Sequence, residues 1–469
     1  MSRLPRLGIG VVEPLADPTP ILWGLLAALD RRGIAAQSFH SRACFEPHDG
    51  ATAITGFAPR HLDSWLMSDN LCRQAFLRGM RRAEIAIVDG SFAADDSPPC
   101  DADGADQARG GKLDDLCEWL NLPRLAIVDV RRLSDCRLPP KPAGLDGVLL
   151  DGAADPRDFY RLQTQFESLW QIPVFGGVED APGLRRAIAR LEFGEGPSPE
   201  LADELATAFE RLTDLERIVR LAARYEFPFR ALDGPGERME PSKLRIAMAC
   251  DDAFRCYFPD ALELLEMRGA TICDFSPLKD ERLPPESDIV YFGCGRPDKF
   301  ADALAANTLM ISALRGHLCN GQRIYAECGG LAYLSRQIEF PDGSHAPMVG
   351  ALPVTARLGP AEPPRSHVAR LGADCWLGRR GDLLRGYLNS RWTIASAERP
   401  MNGELCFAGS GPASADALAR RNPPLIARHQ AIGSRLHLNF AAQPAALEAF
   451  FHPHAAMMDV DSPALARVL

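Results

Sequence analysis

Short apolar runs alternate with longer amphipathic segments throughout the N-terminal part of the chain. Near-continuous apolar runs of this length that end in Asp or Gly are typical of parallel strands covered on both faces. The segment between the first two has Pro20 near its start and Gly33 just past its end, as helices often do. This alternation predicts a doubly wound α/β domain. The runs are RLGIGVV (6–12), AEIAIVDG (83–90), RLAIVDV (124–130), DGVLLDG (146–152) and IPVFGGV (172–178).

A second α/β unit is predicted after a linker. The segment 198–225 begins with Ser and Pro and carries apolar residues at helical spacing. The Gly- and Pro-containing stretch LDGPGERMEPSK (232–243) then reads as a connection between domains. We therefore expect a first domain over residues 1–195, a helix and linker over 196–243, and a second domain over 244–469.

The net charge and the cysteine pattern restrict the kinds of partner and site that we expect. The 469 residues carry a formal net charge of −10, which argues against nucleic acid or an anionic membrane surface as partner. No apolar run is long enough to cross a membrane. The thirteen cysteines show neither a CxxC pair nor Cys/His ligand spacing, so we expect reduced thiols, a cytoplasmic protein and no metal centre. A homodimer is compatible with the sequence.

One cysteine lies at a predicted strand–turn–helix. In GQRIYAECGGLAYLSRQI (321–338), Cys328 follows a β-forming run and precedes two glycines and a helical pattern. A nucleophile on such a sharp turn is exposed to attack, and the nearby helix N-terminus favours the thiolate. An inert buried thiol is the commoner explanation of a cysteine before glycine.

Two other predicted strand ends supply the remaining parts of a nucleophilic site. His437 in GSRLHLNF is a candidate general base, and the Gly-rich turn at Gly293–Gly295 offers backbone N–H groups for an oxyanion. A histidine within a strand is more often structural. The combination of the three strand ends favours catalysis.

The motifs at these strand ends resemble those of the cobyrinic acid a,c-diamide synthase family, whose members are class I (triad-type) glutamine amidotransferases. YAECGGLAYL is similar to the family's nucleophile turn, and SRLHLNF is similar to its LHLHF strand, with Asn439 in place of the second histidine. The blocks 245–284 and 295–315 also resemble the family's sequence and occur in the same order.

The resemblance implies two doubly wound α/β domains. The N-terminal one would be a dethiobiotin-synthetase-like domain of the P-loop type, and the C-terminal one a class I glutamine amidotransferase domain. It also implies that Cys328 attacks the glutamine side-chain amide, that His437 transfers protons, and that Cys294 and Gly295 hold the oxyanion. The ammonia released would amidate a carboxylate of a corrinoid or other tetrapyrrole, as in amide-forming carbon–nitrogen ligases.

The first turn of the chain departs from the family's pattern. The family has a glycine-rich loop of the form GTxSGVGKTT where this chain has VVEPLADPTP (11–20). That stretch has no glycine and no lysine, its prolines lack N–H donors, and Glu13 and Asp17 add negative charge. The family implies ATP and Mg²⁺ as cofactors, but we do not expect this loop to hold them.

Further positions of the family's pattern have changed. Glu46 and Asp89 remain as weak candidates for Mg²⁺ ligands, although isolated acidic residues are usually only solvated. LRGYLNSRW (384–392) stands where the family has GHEFHYS, so a Glu and a His expected near the substrate are missing.

Three hypotheses follow. The chain is an amidotransferase with a working glutaminase and an altered synthetase half, or a diamide synthase that binds ATP by another route. The third hypothesis is a non-catalytic scaffold or regulatory binding protein that keeps the fold. Retention of Cys328, its two glycines and His437 favours an active thiol.

Overall fold

A computed structural model of the protein describes residues 4–13, 16–92, 110–133, 138–228, 243–360, 362–396, 406–409 and 422–454. The described residues divide into two compact units, one up to residue 228 and the other from residue 243. The predicted linker stretch 232–242 lies outside the described residues. Within the described ranges, no helix has both the length and the apolar character required to cross a bilayer.

The first unit is built on a parallel sheet. Its seven strands follow the order β3-β2-β4-β1-β5-β6-β7, so the chain moves outward from β1 in both directions. This is the doubly wound arrangement that the apolar runs predict. The strands are β1 (Arg6–Val11), β2 (Ala36–His40), β3 (Arg60–His61), β4 (Ile85–Ser91), β5 (Arg124–Asp129), β6 (Gly147–Ala153) and β7 (Val174–Glu179).

Local signals set the starts of several helices of the first unit. The side chains of Ser68, Asp155, Ser198 and Asp214 each accept a backbone N–H of a first helical turn. The helices are α1 (Thr19–Arg31), α2 (Gly50–Thr55), α3 (Asp69–Gly79), α4 (Leu113–Trp119), α5 (Pro156–Trp170), α6 (Pro182–Ala189), α7 (Pro199–Glu210) and α8 (Leu215–Ala222), with a short 3-10 turn at Val130–Arg132.

The segment predicted as one helix folds as two. Between α7 and α8, Thr213 Oγ1 accepts the N–H of Gly177 at 3.0 Å, and Asp214 caps the start of α8. The helical spacing of apolar residues continues across the break, so the sequence pattern alone did not reveal it. Leu205 and Phe209 of α7 are buried in a cluster with residues of α1, and this apolar packing holds α1 against α7.

The second unit contains a ten-stranded sheet. Its order is β10-β8-β11-β13-β22-β21-β20-β17-β18-β23; the pairs from β10 to β22 are parallel and the pairs from β22 to β23 are antiparallel. The strands are β8 (Arg245–Ala249), β10 (Thr271–Phe275), β11 (Ile289–Phe292), β13 (Arg323–Glu327), β17 (Arg365–Leu371), β18 (Leu383–Leu388), β20 (Cys406–Gly409), β21 (Leu425–Arg428), β22 (Ala431–Ser434) and β23 (Leu436–His437).

Two smaller sheets and five helices complete the described part of this unit. The pair β12-β9 and the sheet β15-β14-β16-β19 consist of β9 (Phe254–Cys256), β12 (Cys294–Gly295), β14 (Gln337–Glu339), β15 (His345–Pro347), β16 (Val354–Leu358) and β19 (Trp392–Ser396). The helices are α9 (Pro259–Met267), α10 (Ala301–Ala306), α11 (Thr308–Cys319), α12 (Gly329–Leu334) and α13 (Pro444–Phe451), with 3-10 turns at Pro297–Phe300 and Phe440–Ala442. The prediction of two α/β domains is confirmed.

Candidate active site

Cys328 occupies a strained turn between a strand and a helix. Strand β13 ends at Glu327 and helix α12 begins at Gly329, which leaves Cys328 between them with φ +46° and ψ −102°. Such a backbone conformation costs a non-glycine residue about 1–3 kcal/mol and often marks a functional site. A side chain at Gly329 would lie 2.6 Å from the carbonyl oxygen of Gly295, so the turn closes only because this residue is glycine. The strand–turn–helix predicted at Cys328 is present.

His437 reaches Cys328 because the chain leaves one strand and enters another. The sequence predicts a single strand over 434–440, but β22 ends at Ser434 and β23 begins at Leu436. The N–H of Leu436 donates to Ser434 Oγ at 3.0 Å, which fixes the bend, and His437 then pairs with Tyr387 of β18. A ring nitrogen of His437, Sγ of Cys328 and Sγ of Cys294 all lie within 4.8 Å of one another.

The surroundings of Cys328 favour its thiolate. Burial, which leaves the residue 2% exposed, raises the pKa of the thiol. The hydrogen bond from Cys294 and the neighbouring His437 and Arg435 act in the opposite direction, and together they lower the pKa of Cys328 to about 6. The thiol is therefore largely ionised at neutral pH.

Glu327 lies directly behind this pair of cysteines. Its Oε1 accepts the hydroxyl of Tyr325 at 2.9 Å and the N–H of Leu438 at 3.4 Å, and its Oε2 is 4.0 Å from Cys294 Sγ. Burial and the charge of Cys328 raise the pKa of Glu327 well above its usual range. Burial and the hydrogen bond to Cys328 likewise raise the pKa of Cys294, which therefore carries its proton.

The predicted oxyanion turn lies beside the nucleophile. Strand β12, which is Cys294 and Gly295, pairs with β9, and a side chain at Gly295 would lie 1.9 Å from the carbonyl oxygen of Ala253. The turn thus requires glycine at this position. The contact between Gly295 and the Gly329 position places it next to Cys328. The roles of all four predicted site residues, Cys328, His437, Cys294 and Gly295, stay predictions.

Sequence reasoning missed two residues that touch the site. Asn389 Nδ2 lies 3.3 Å from His437 Nε2, and the backbone oxygen of Arg435 lies 3.5 Å from Cys328 Sγ. The guanidinium of Arg435 donates to the backbone of Asn422 at 3.0 Å, and burial lowers its pKa to about 10. No sequence signal marks Asn389, because it reaches His437 only through the pairing of β18 with β23.

The turn after β1 contains its own anions. Asp17 Oδ1 accepts the N–H of Thr19 at 3.0 Å, where a bound phosphate would accept it in a glycine-rich loop. The carboxylate of Glu13 accepts the N–H of Asp129 at 3.4 Å, and burial raises its pKa. The described residues of this turn offer little positive charge to a nucleotide.

One of the two candidate Mg²⁺ ligands, Asp89, is paired with a histidine. His40 and Asp89 are in register on β2 and β4, and His40 Nδ1 lies 2.9 Å from Asp89 Oδ2. Burial lowers the pKa of His40, but Asp89, Glu46 and Asp49 outweigh it and raise the value to about 9, so the imidazole is charged at neutral pH. Burial raises the pKa of Glu46. The structure therefore brings Glu46 near Asp89 with an internal cation beside them.

Comparison with known proteins agrees with the C-terminal site. Residues 245–444 match the CobB/CobQ-like glutamine amidotransferase domain. A cobyrinate a,c-diamide synthase of Syntrophotalea carbinolica is 31% identical over 95% of this chain and 98% of its own length. Enzymes of the same name from Dehalococcoides mccartyi (30% identity, 82% of this chain and 85% of that protein) and Magnetococcus marinus (29%, 76% and 78%) also match. The chain belongs to the cobyrinate a,c-diamide synthase family.

This membership covers both units of the chain. Cys294, Cys328 and His437 all lie within the matched amidotransferase domain. The turn after β1, by contrast, lies outside that domain but within a chain that aligns over 95% of its length with a family member. The altered turn is therefore a local change in a cobyrinate a,c-diamide synthase family protein.

Proposed function

We propose that this protein hydrolyses glutamine at Cys328 and supplies the ammonia for amidation of a carboxylate on a corrinoid or related tetrapyrrole. The observation that carries the proposal is the meeting of Cys328 Sγ, ionised at neutral pH and set on a strained turn, with a ring nitrogen of His437. The acceptor is inferred from the relatives, which are named for the a,c-diamidation of cobyrinate.

The chemistry follows from the positions of the side chains. The Cys328 thiolate attacks the side-chain carbonyl carbon of glutamine, and the turn of Cys294 and Gly295 holds the oxygen that becomes negative. His437 gives a proton to the departing nitrogen, which leaves as ammonia, and a thioester to Cys328 remains. His437 then takes a proton from water, which attacks the thioester and releases glutamate.

We further propose that the turn after β1 does not bind ATP and Mg²⁺ in the family's usual way. Asp17 accepts an N–H of the first turn of α1, and Glu13 is a second acidic group at the end of β1. The negative charges of Asp17 and Glu13 would repel a phosphate bound in this turn. Two like charges within about 6 Å repel by several kcal/mol at low effective dielectric. Activation of the acceptor carboxylate would then depend on another site or on a partner protein.

The test is a glutaminase assay on the purified full chain with Cys328→Ser as the variant and Cys319→Ser as its matched control. Cys319 is an exposed cysteine at the end of α11. We expect the Cys328 variant to lose ammonia release by more than about 10³-fold, and the control to keep the wild-type rate. Equal background rates in all three proteins would overturn the proposal and leave the non-catalytic scaffold as the better explanation.

A further inference from the structure

The side chains that meet at the nucleophile site also form a set of potential metal ligands. Sγ of Cys294, Sγ of Cys328 and a ring nitrogen of His437 lie within 4.8 Å of one another, and all three residues are buried. They come from β12, from the turn after β13 and from β23, so they are far apart in the sequence. Because the three residues are so far apart, the sequence shows no Cys/His ligand spacing that would indicate a metal site.

Two thiolates and an imidazole are ligands that Zn²⁺ prefers. Zinc binds cysteine sulfur at about 2.3 Å and histidine nitrogen at about 2.0–2.1 Å in tetrahedral geometry, which places neighbouring ligand atoms roughly 3.5 Å apart. The three ligand atoms lie within 4.8 Å of one another, so each would move inward by about 1 Å or less to reach that value. We propose that Cys294, Cys328 and His437 form a binding site for Zn²⁺ that closes the active site.

Zinc binds cysteine as the thiolate and histidine as the neutral imidazole. Uptake of the ion therefore releases the protons that the three ligand atoms hold, and its affinity should fall as the pH is lowered. The three side chains are buried, so the ligand atoms are held within the fold and not on its surface.

Zinc on Cys328 would use the electron pair with which the sulfur attacks glutamine. The metal is therefore an inhibitor of the glutaminase reaction, and its removal by a chelator restores activity. This consequence rests on the proposed function, whereas metal binding itself does not.

The experiment measures binding to the reduced, chelator-free full chain, with Co²⁺ as the optical probe and Zn²⁺ as competitor. Wild type should take up one equivalent at micromolar concentration with a thiolate-to-cobalt absorption band that Zn²⁺ abolishes. Cys294→Ser should weaken binding by more than about 100-fold, since loss of an outer partner alone costs up to that factor. Cys319→Ser, which alters an exposed cysteine outside the cluster, should bind like wild type.

If Cys294→Ser does not fold, Cys328→Ser and His437→Gln each remove another ligand, and the same loss is expected for both. Absence of micromolar uptake by wild type, or equal uptake by wild type and all ligand variants, overturns the site. Metal uptake without glutaminase activity would retain the zinc site and overturn the proposed function. Glutaminase activity without metal uptake would retain the proposed function and overturn the zinc site.

Discussion

Two turns of this molecule have the same strand–turn–helix architecture but different residues. Each follows a parallel strand and precedes a helix, one after β13 at Cys328 and the other after β1 between Glu13 and Thr19. The first combines a strained thiol, two glycines and a histidine partner. The second has no glycine or lysine, and its Asp17 side chain accepts the N–H of Thr19 at the start of the following helix.

On our proposal for the turn after β1, the fold of the first unit persists without phosphate binding at that turn. Helix α1 is held by apolar contacts with α7 and with the sheet beneath, as the burial of Leu25, Leu29 and Phe209 indicates. None of these contacts depends on a phosphate. The Cys328 turn cannot change in the same way, because Gly295 and Gly329 are in close contact with neighbouring backbone atoms.

The largest effect should come from His437→Gln. Loss of a positioned general acid and base should lower glutamine hydrolysis by about 10³-fold, as measured by ammonia release at saturating glutamine. His345→Gln, an exposed histidine on β15, is the matched control and should keep the wild-type rate. A rate near wild type in the His437 variant would remove this histidine from the mechanism and leave Cys328 without its base.

The next effect should come from Gly295→Ala. Its new methyl group would lie 1.9 Å from the carbonyl oxygen of Ala253, so backbone must shift, and we expect a loss of about 2–3 kcal/mol in the free energy of unfolding. Gly316→Ala in α11 is the control. A side chain there meets no atom within 4 Å, and alanine should stabilise the helix by up to about 1 kcal/mol. Urea denaturation of both variants and of wild type measures the free energies of unfolding. Equal stabilities of Gly295→Ala and wild type would show that the turn tolerates a side chain.

A third prediction concerns the ionisation of Cys328. Its rate of alkylation by iodoacetamide should rise with pH to half its maximum near pH 6, because the thiolate is the reacting form and the pKa is about 6. Without the charge and hydrogen bond of His437, the midpoint should move upward by about one unit, which lowers the thiolate fraction at pH 6 roughly fivefold. Mass spectrometry of the Cys328 peptide follows the reaction. An unchanged midpoint in His437→Gln would assign the low pKa to Cys294 and Arg435.

The sequence predicted the parts of this site that local patterns encode. The β-forming run, the cysteine and the two glycines indicate the turn at Cys328, and the apolar runs indicate the parallel strands of both units. It did not predict the bend at Arg435 or the contact of Asn389 with His437, because both depend on the pairing of β18 with β23. The closeness of the Cys294 thiol to Cys328 and His437 was not predicted, because only the backbone of its turn was expected to act at the site. The break between α7 and α8 was not predicted because it depends on a hydrogen bond from a distant strand.

A fourth effect should appear in the first unit. The pKa of His40 is about 9, above its ordinary value near 6.5, so protonated His40 stabilises the fold below pH 6.5 and this contribution is lost as the pH rises through 9. We expect a decrease of about 3 kcal/mol in unfolding free energy over that interval. Asp89→Asn should reduce the decrease, because it removes the nearest opposite charge, while His345→Gln should not. A pH response that is the same in Asp89→Asn would assign the effect to other groups.

The smallest effect is expected from the ligand that the family implies. If the turn after β1 held ATP and Mg²⁺, a concentration one hundred times the dissociation constant would raise the unfolding free energy by about 2.7 kcal/mol. Asp17 and Glu13 oppose such binding, so millimolar ATP with Mg²⁺ should leave both the melting temperature and the calorimetric baseline unchanged. Asp17→Asn is the informative variant, since it keeps an oxygen to cap Thr19 but removes the charge. Micromolar binding by wild type would show that the nucleotide site survived without its glycines, and the contrast between the two turns would then be one of sequence only.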